Sequence, residues 1–587
     1  MKIVLSKSTK SLFAIVLVCC AVSFSCKKTL DKDPETFLVS SQVYRNVFDA
    51  DAAVIGVYGK LMGLAGQYVI LNELRGDLMQ VTDNADQYLR EINTQSTTEN
   101  NPYANPKPFY SLINDCNDVL KNFDIMLRDN KFKISEYQQR YSDIGCIRAW
   151  LYLQLGIHYG TVPYVTDALE NIDAVRDQSK YPLLPFNQLL DSLITFTDAL
   201  PYKLPYAPGT SLVTFIDGTQ TQRFFIEKNG LLGDLNLWRG KYTAAATYYR
   251  ALMESTGYFL GAGTEAFYNN FKVRYADVVA NNDLSVGYIR FKESDINSIV
   301  DNNSQGWRSM FARGQDAIWN WEMMWVLPFN ASFAPVNPFI DLFSNTGGKY
   351  LVKPSQQAII NWNTQLQANG FPYDARGGMT WRNINGQPVI MKYLYNYVNE
   401  TSYLPISPLL KNGQWFLNRA AAVHLHFAEA ANRDGRTKLA YAFVNNGISA
   451  TFDTSTAAGR DVTNLQNTLN YPAPYNFDAR NGEFPRYRSD WYRANGIRNR
   501  ARLVNTPRSD TLSTINMENS IINEAGLELA YEGYRWPDLL RIALRRDDPS
   551  FIANKVFDKL QKDGNPAAAT VRAKLMRKEY YLPFKWN

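Results

Sequence analysis

Glu528-Leu529-Ala530-Tyr531-Glu532-Gly533-Tyr534-Arg535-Trp536-Pro537-Asp538-Leu539-Leu540-Arg541 is the stretch on which the reading of this 587-residue chain turns. At helical spacing Glu528 and Glu532 share one face, Arg535 and Asp538 lie a turn onward, and Arg541 sits beyond them. Opposite charges three and four residues apart support a helix. The expectation is an ion-pair network that holds a C-terminal helix against a larger scaffold, with Trp536 in its core.

Working outward, helical signals dominate both ends of the chain. Val43 to Met62 carries apolar residues at Val47, Val54, Val57, Tyr58 and Leu61, a helix-like spacing. Ser135-Glu136-Tyr137-Gln138 has the form of a capping box. It opens a stripe through Tyr137, Tyr141, Ile144, Ile147, Leu151 and Leu155, which should stop at Gly160 because Pro163 prevents continuation. Two later segments repeat one another. Leu232-Gly233 is followed by Ala245 and Tyr249, and Phe427-Ala428 by Ala440 and Val444, at the same offsets. Small residues so placed let two antiparallel helices touch while the large residue fills the groove beside them, as in tetratricopeptide hairpins. Turns at Gly240-Lys241 and Asp434-Gly435 fit that reading. Leu155-Gly156, Ala168 and Ile172 match the offsets too, but Gly160 and Pro163 break that copy. Residues 64–105, about 258–416 and 450–510 are rich in Asn, Gly, Pro and aromatics. Loops of that length inside a compact protein carry function or contain further elements. The fold class expected is mainly α: a tetratricopeptide-like α/α superhelical scaffold from about 43–257 and 417–587, carrying a large loop-rich region with short strands at about 258–416. Together these make one domain, 43–587.

The N-terminus has a different character. Lys2, Lys7 and Lys10 precede an unbroken apolar run from Leu12 to Val22, and Ser23-Phe24-Ser25 leads to Cys26. This is the layout of an export signal. Its apolar run reaches only about 16 Å as a helix, roughly half a hydrocarbon core. A cysteine directly after a small-residue cleavage site is the lipoprotein form, in which Cys26 takes the lipid and several acyl chains anchor the protein. Residues 1–25 are therefore expected to be a lipoprotein signal peptide and 26–42 a lipidated tether. Of the remaining cysteines, Cys116 and Cys146 lie about equally far from a connector near residue 131. An antiparallel helix pair would bring them level, either as a disulfide or as two buried thiols.

Formal charge is +6, half of it from the three leader lysines. No basic stripe suggests nucleic acid as a partner. His158, His424 and His426 are the only histidines. The last two point about 200° apart on a helix, so they suit packing better than metal binding. No phosphate loop, zinc-protease or nucleophile-elbow motif is present, and no motif calls for a cofactor or metal. Paired carboxylates for glycoside hydrolysis would find some match among 56 acids by chance alone. Aromatics make up 13% of the chain. Trp307, Trp319, Trp321 and Trp325 cluster, and a strand over 317–326 would put the last three on one face. Such a row either stacks on successive sugar rings or packs a strand against the core.

Several blocks resemble one family. Phe48-Asp49-Ala50-Asp51-Ala52-Ala53 through Gly56-Val57-Tyr58-Gly59-Lys60-Leu61 is similar to the first helix of the SusD/RagB outer-membrane nutrient-binding lipoproteins of Bacteroidetes. Arg148-Ala149-Trp150-Leu151-Tyr152-Leu153 with Tyr159-Gly160-Thr161-Val162-Pro163, Pro372-Tyr373-Asp374-Ala375-Arg376, and Arg419 to Ala431 resemble later motifs. The 528–541 block and Tyr581-Leu582-Pro583 complete the series, in order, over nearly the whole chain. A Glu-Arg pair usual in the family reads Glu524-Ala525 here. The resemblance implies helical hairpins beneath an irregular ligand-facing region. It also implies non-catalytic capture of oligosaccharide, or in some members peptide, at the outer face of the outer membrane. The partner implied is a SusC-like TonB-dependent transporter. In the family, the loop after the first helices and a mid-chain segment frame the site, which makes Asp77, Arg90, Asn101 and Tyr103 candidates beside the tryptophans. A polysaccharide-degrading α/α-barrel enzyme is the competing expectation, though it would need evenly repeating helix pairs through the loop-rich middle. Replacing the anchor, Cys26→Ala, is expected to move the protein from the membrane to the soluble fraction with its circular dichroism unchanged. Retention on membranes lacking any β-barrel partner would refute lipid anchoring.

Overall fold

The computed structural model describes residues 43–169, 180–201, 206, 210–216, 219–255, 306–312, 322–452, 467–479, 491–493, 496–508 and 513–584. The leader, the whole tether with Cys26, Trp319 and Trp321 lie outside the described residues. The first half of the scaffold is α1 (Val47–Met62), α2 (Lys107–Arg128), α3 (Ile134–Tyr159), α4 (Phe186–Ala199), α5 (Lys228–Arg239) and α6 (Tyr242–Met253). The loop-rich body contributes the antiparallel ribbon of β1 (Met323–Phe329) and β2 (Gly413–Arg419), with α7 (Gln356–Asn363) between them. The scaffold resumes with α8 (Ala420–Arg433), α9 (Thr437–Val444), α10 (Thr514–Glu528), α11 (Arg535–Arg546), α12 (Pro549–Lys562) and α13 (Ala568–Met576). Successive helices pack on one another from α2 to α6. α6 then packs on α8, and α8 and α9 both pack on α10. Helices from the two ends of the chain thus form one superhelical stack, as expected, and every sheet among the described residues is a two-stranded ribbon.

The local reasons are legible. Asn46 caps α1, its side chain accepting from the Phe48 and Asp49 N–H groups. In the α5–α6 hairpin the ring of Tyr249 occupies the space a side chain at Gly233 would need, and Gly240 makes the turn at φ 82°. In the α8–α9 hairpin Phe427, Ala428, Ala440 and Val444 are all fully buried. The third copy of the offsets fails as expected: α3 ends at Tyr159, Gly160 turns at φ 73°, and Thr161–Pro163 is a strand. The cap of α3 lies earlier than Ser135. Lys133 is the N-cap, and Glu136 accepts from its backbone N–H at 3.0 Å. Cys116 and Cys146 are free and buried.

The 528–541 stretch is not one helix. α10 ends at Glu528, Tyr531 and Gly533 take left-handed φ values of 72° and 94°, and α11 starts afresh at Arg535. The break is held from a distant part of the chain. Glu73, on the π-helical turn Ile70–Leu74, accepts from the N–H groups of Tyr531, Gly533 and Tyr534 at 3.1, 2.7 and 3.0 Å. A carboxylate at the start of α11 also meets the positive end of that helix. Gly533 has no room for a side chain, because the Tyr68 ring lies against it.

With the helix broken, the expected local ion pairs are largely replaced by long-range ones. Glu528 binds Arg376, Arg419 and Arg500 at 2.6, 2.8 and 2.7 Å. Glu532 binds Arg419 and Lys392 at 2.7 and 2.6 Å. Glu322 joins Arg419 and Arg500, Asp374 and Glu524 join Arg376, and Glu524 also takes Arg498. Five carboxylates face five cations, so the cluster is neutral. All its members are buried. Burial opposes ionisation of Glu528, yet the guanidiniums of Arg500, Arg419 and Arg376 hold its carboxyl well below the usual range. Trp307 closes one side, with the Arg419 and Arg500 guanidinium carbons 5.5 and 5.4 Å from its ring. Removing one partner strands charge in a dry interior. Arg419→Met is expected to lower the urea-unfolding free energy by roughly 3–5 kcal/mol. Lys60→Met, which breaks the exposed pair with Asp115 at 2.7 Å, should cost less than about 1 kcal/mol. Equal costs for the two would refute the special standing of the cluster.

Candidate functional site

Two clefts and one smaller pocket stand out. The first cleft, of about 470 Å³, lies where α7, the short helix Ile497–Arg500 and the residues after it to 507 meet α10 and α12. Its wall is a ladder of amides. Gln357 Nε2 donates to Asn361 Oδ1 at 2.6 Å, Gln365 Nε2 donates to the Asn361 carbonyl at 2.9 Å, and Arg498 Nη2 donates to Gln365 Oε1 at 3.2 Å. Across the cleft Lys555 Nζ donates to Asn523 Oδ1 at 3.3 Å. Burial lowers the Lys555 pKa, and the nearby Arg535 guanidinium lowers it further. The side chains hold one another in place while retaining spare donors and acceptors, since each primary amide offers two of each. Such a wall suits a ligand dense in hydroxyl or amide groups.

Among the residues proposed from sequence, Asp77 lines this cleft. Its carboxylate is engaged by Arg535, with Nε and Nη2 at 2.5 and 2.8 Å. Burial opposes its ionisation, yet the Arg535 charge brings its pKa to about 2. Arg90, Asn101 and Tyr103 gather in one substructure, the helix Gln87–Asn93 and the turn after it. Arg90 is exposed and donates to the backbone carbonyls of Ala85 and Asp83 at 3.2 and 2.9 Å. Asn101 is buried, donates to the Tyr88 carbonyl and to Glu91 at 2.9 and 3.0 Å, and caps the turn through the Tyr103 N–H. Tyr103 is half-buried. Trp307 and Trp325 are both in the core. Trp325 lies on β1 and donates its indole N–H to the Phe224 carbonyl at 2.9 Å, with Trp150 packed edge-on at 5.4 Å. The structure therefore does not bring Trp307, Trp325 and Asp77 into one pocket. The amide wall was not anticipated, although part of its signal was present: Gln357, Asn361 and Gln365 recur every four residues, the first two on α7 and Gln365 just past its end.

The third pocket, of about 60 Å³, lies between α3, α5, α8 and α11 and includes Trp325 and His426 in its lining. His426 Nδ1 is 3.1 Å from Asp234, and its Nε2 is 3.4 Å from Asp538. Burial disfavours its charge, but the two carboxylates outweigh that and raise its pKa to about 9. His424, turned the other way against Phe443 and Trp491, is lowered to about 3 by burial. The two histidines thus do opposite work on one helix.

The comparisons with known proteins follow this architecture. A crystal structure of a SusD superfamily protein from Bacteroides vulgatus ATCC 8482 is 14% identical, with a TM-score of 0.54 over 90% of this chain and 92% of that one. Surface glycan-binding protein A from Bacteroides uniformis is 16% identical, with a TM-score of 0.54 over 91% and 95%. A laminarin binding SusD-like protein is 13% identical, with a TM-score of 0.54 over 93% and 100%. At such identities the likeness is one of fold, and the fold is SusD-like. The SusD family model matches residues 492–585, which contain Glu524, Glu528, Glu532 and Arg535. Over those residues the chain is similar to the SusD family. No curated protein matches it.

Because the folded His426 pKa is raised from 6.5 to about 9, its stabilising charge is fully present below pH 6.5 and is lost as pH rises through about 9. The melting temperature is expected to fall across that window in the wild type and to fall less in His426→Gln. Parallel pH profiles for the two would show that the His426 charge does not stabilise the α5–α8–α11 packing.

Proposed function

We propose that this chain is a lipid-anchored protein of the outer membrane that binds an oligosaccharide at the cell surface without catalysis and delivers it to a partner TonB-dependent transporter. The single observation that carries the reading is its SusD-like fold, which it shares with solved proteins named for glycan and laminarin binding. The amide cleft supplies a place for the ligand, with paired donors and acceptors matched to vicinal hydroxyls. A sugar trades water hydrogen bonds for protein ones, so each contact adds only about 1 kcal/mol and affinity for a free oligosaccharide is modest. Attachment to a polymer at several points compensates. The carboxylates lining the cleft, Asp77 and Asp558, do not form a free pair, because Asp77 is locked to Arg535. Glycoside hydrolysis by two free carboxyl groups has no support there. The same amides suit a peptide backbone, which makes peptide the second ligand class.

Titration calorimetry against neutral oligosaccharides and peptides is expected to give sub-millimolar binding to at least one glycan, roughly tenfold weaker in the Asn361→Ala, Gln365→Ala double variant. No reducing ends should appear on long incubation. Binding to peptides alone would replace the ligand class, and release of reducing ends by pure protein would overturn the non-catalytic reading.

A further inference from the structure

The second surface cleft, of about 510 Å³, has a different chemistry. It opens where α3 ends, α4 begins and the α5–α6 turn meets α11, and its lining includes Trp238, Tyr242, Tyr581, Arg239, Arg541 and Arg545 but no carboxylate. The indole N–H of Trp238 and the hydroxyls of Tyr242 and Tyr581 make no hydrogen bond among the described residues. Trp238 and Tyr242 are half-buried and Tyr581 is exposed, so all three present their donors at the surface of the cleft. Tyr581 is also held in place. Its ring carbons come within 2.7 Å of where a Cβ at Gly160 would stand, so only glycine lets the ring lie there, and Gly160 has φ 73°. The next residue, Leu582, donates its N–H to the His158 carbonyl at 2.8 Å. This is why Tyr159-Gly160 and Tyr581-Leu582-Pro583, distant in sequence, are both needed at this corner. Arg541 and Arg545 lie 5.3 and 5.2 Å from the rings of Trp238 and Tyr242. Their charges are met from behind by Glu429, at 2.7 and 2.5 Å. Arg239 differs: only its Nε is engaged, by Asp191 at 2.9 Å, and its side chain is 36% exposed.

We propose that this cleft is a second ligand site, separate from the amide cleft, that takes a saccharide bearing a carboxylate, such as a hexuronate unit. The rings of Tyr581 and Tyr242 receive the C–H faces of the sugar. The unpartnered ring donors, with Asn187 and Thr161 in the lining, take its hydroxyls. The free end of Arg239 takes the carboxylate, a charge-assisted bond stronger than any the neutral rim supplies. The volume falls within the range of small-ligand sites. An acidic peptide would satisfy Arg239 but carries no rigid pyranose face to lie flat on the two rings.

The test uses oligogalacturonate of about three units against the matched neutral oligomer, read by titration calorimetry on the full mature chain. Expected are binding of the uronate alone, loss of roughly tenfold affinity in Arg239→Gln and in Tyr581→Ala, weakening by added salt, and no change in the Asn361→Ala, Gln365→Ala variant. Circular dichroism establishes that each variant is folded. Absence of uronate binding, uronate binding that tracks the amide-cleft variant, or stronger displacement by a poly-glutamate peptide than by uronate would each overturn the proposal. None of these outcomes decides whether a neutral glycan binds the amide cleft.

Discussion

The interaction on which the rest of the structure depends is the buried set of five carboxylates and five cations around Glu528. Its members come from the β1–β2 ribbon and the residue before it, the 374–392 segment, the short helix Ile497–Arg500, and the end of α10 with the break that follows it, so the cluster rivets the loop-rich body to the helical stack. Long charged side chains lose solvation in such a place and regain it only when every partner arrives in geometry. The cluster is therefore less a source of net stability than a demand for one arrangement. An alternative docking of the body on the stack would leave an unpaired charge in the dry interior. The neutral balance and the Trp307 lid fit that role.

Much of the scaffold was legible in the sequence because its contacts are local. The Gly233–Tyr249 and Phe427–Val444 hairpins follow from residue size at fixed offsets, and Gly160 and Gly240 end helices where a left-handed residue is required. The 528–541 stretch was read correctly as a charged anchor but wrongly as one helix. Its spacing satisfies a helical wheel, and nothing local in it reports the carboxylate of Glu73. That group, more than 450 residues away in sequence, makes the break at Tyr531 and Gly533 favourable by satisfying the exposed N–H groups. Likewise Glu524, which lacks the neighbouring arginine of the family pattern, finds its partners in Arg376 and Arg498. Spacing rules see partners three or four residues apart and are blind to those hundreds of residues away.

The sites were less legible, for a related reason. A tryptophan or a buried aspartate carries the same letter whether it faces a ligand or fills a core. Trp307 and Trp325 proved to be core, covering the ion cluster and the Phe224 carbonyl, and Asp77 reaches a cleft only with its charge already matched by Arg535. The four-residue recurrence of Gln357, Asn361 and Gln365 stands in the sequence, but only the first two are on α7, and the importance of all three depends on the α10 and α12 surfaces that close the other side. Tyr581 illustrates the point most simply: its motif could be quoted from sequence, while its position depends on a glycine lying more than 400 residues earlier.

The Glu73 contact has one more consequence. Glu73 receives residues 531–535, Arg75 donates to the Tyr580 carbonyl, and Lys574 donates to the Gln95 carbonyl at 2.6 Å. The beginning and end of the described chain are therefore stitched together. A polypeptide emerging from its N-terminus makes none of these bonds until its last segment is available, so the early helices wait with buried-type carboxylates and arginines still in water. Loop closure over that distance comes late and slowly. The bonds that close the fold therefore join segments at opposite ends of the described chain, much as a clasp fastens only when both ends of the band are in hand.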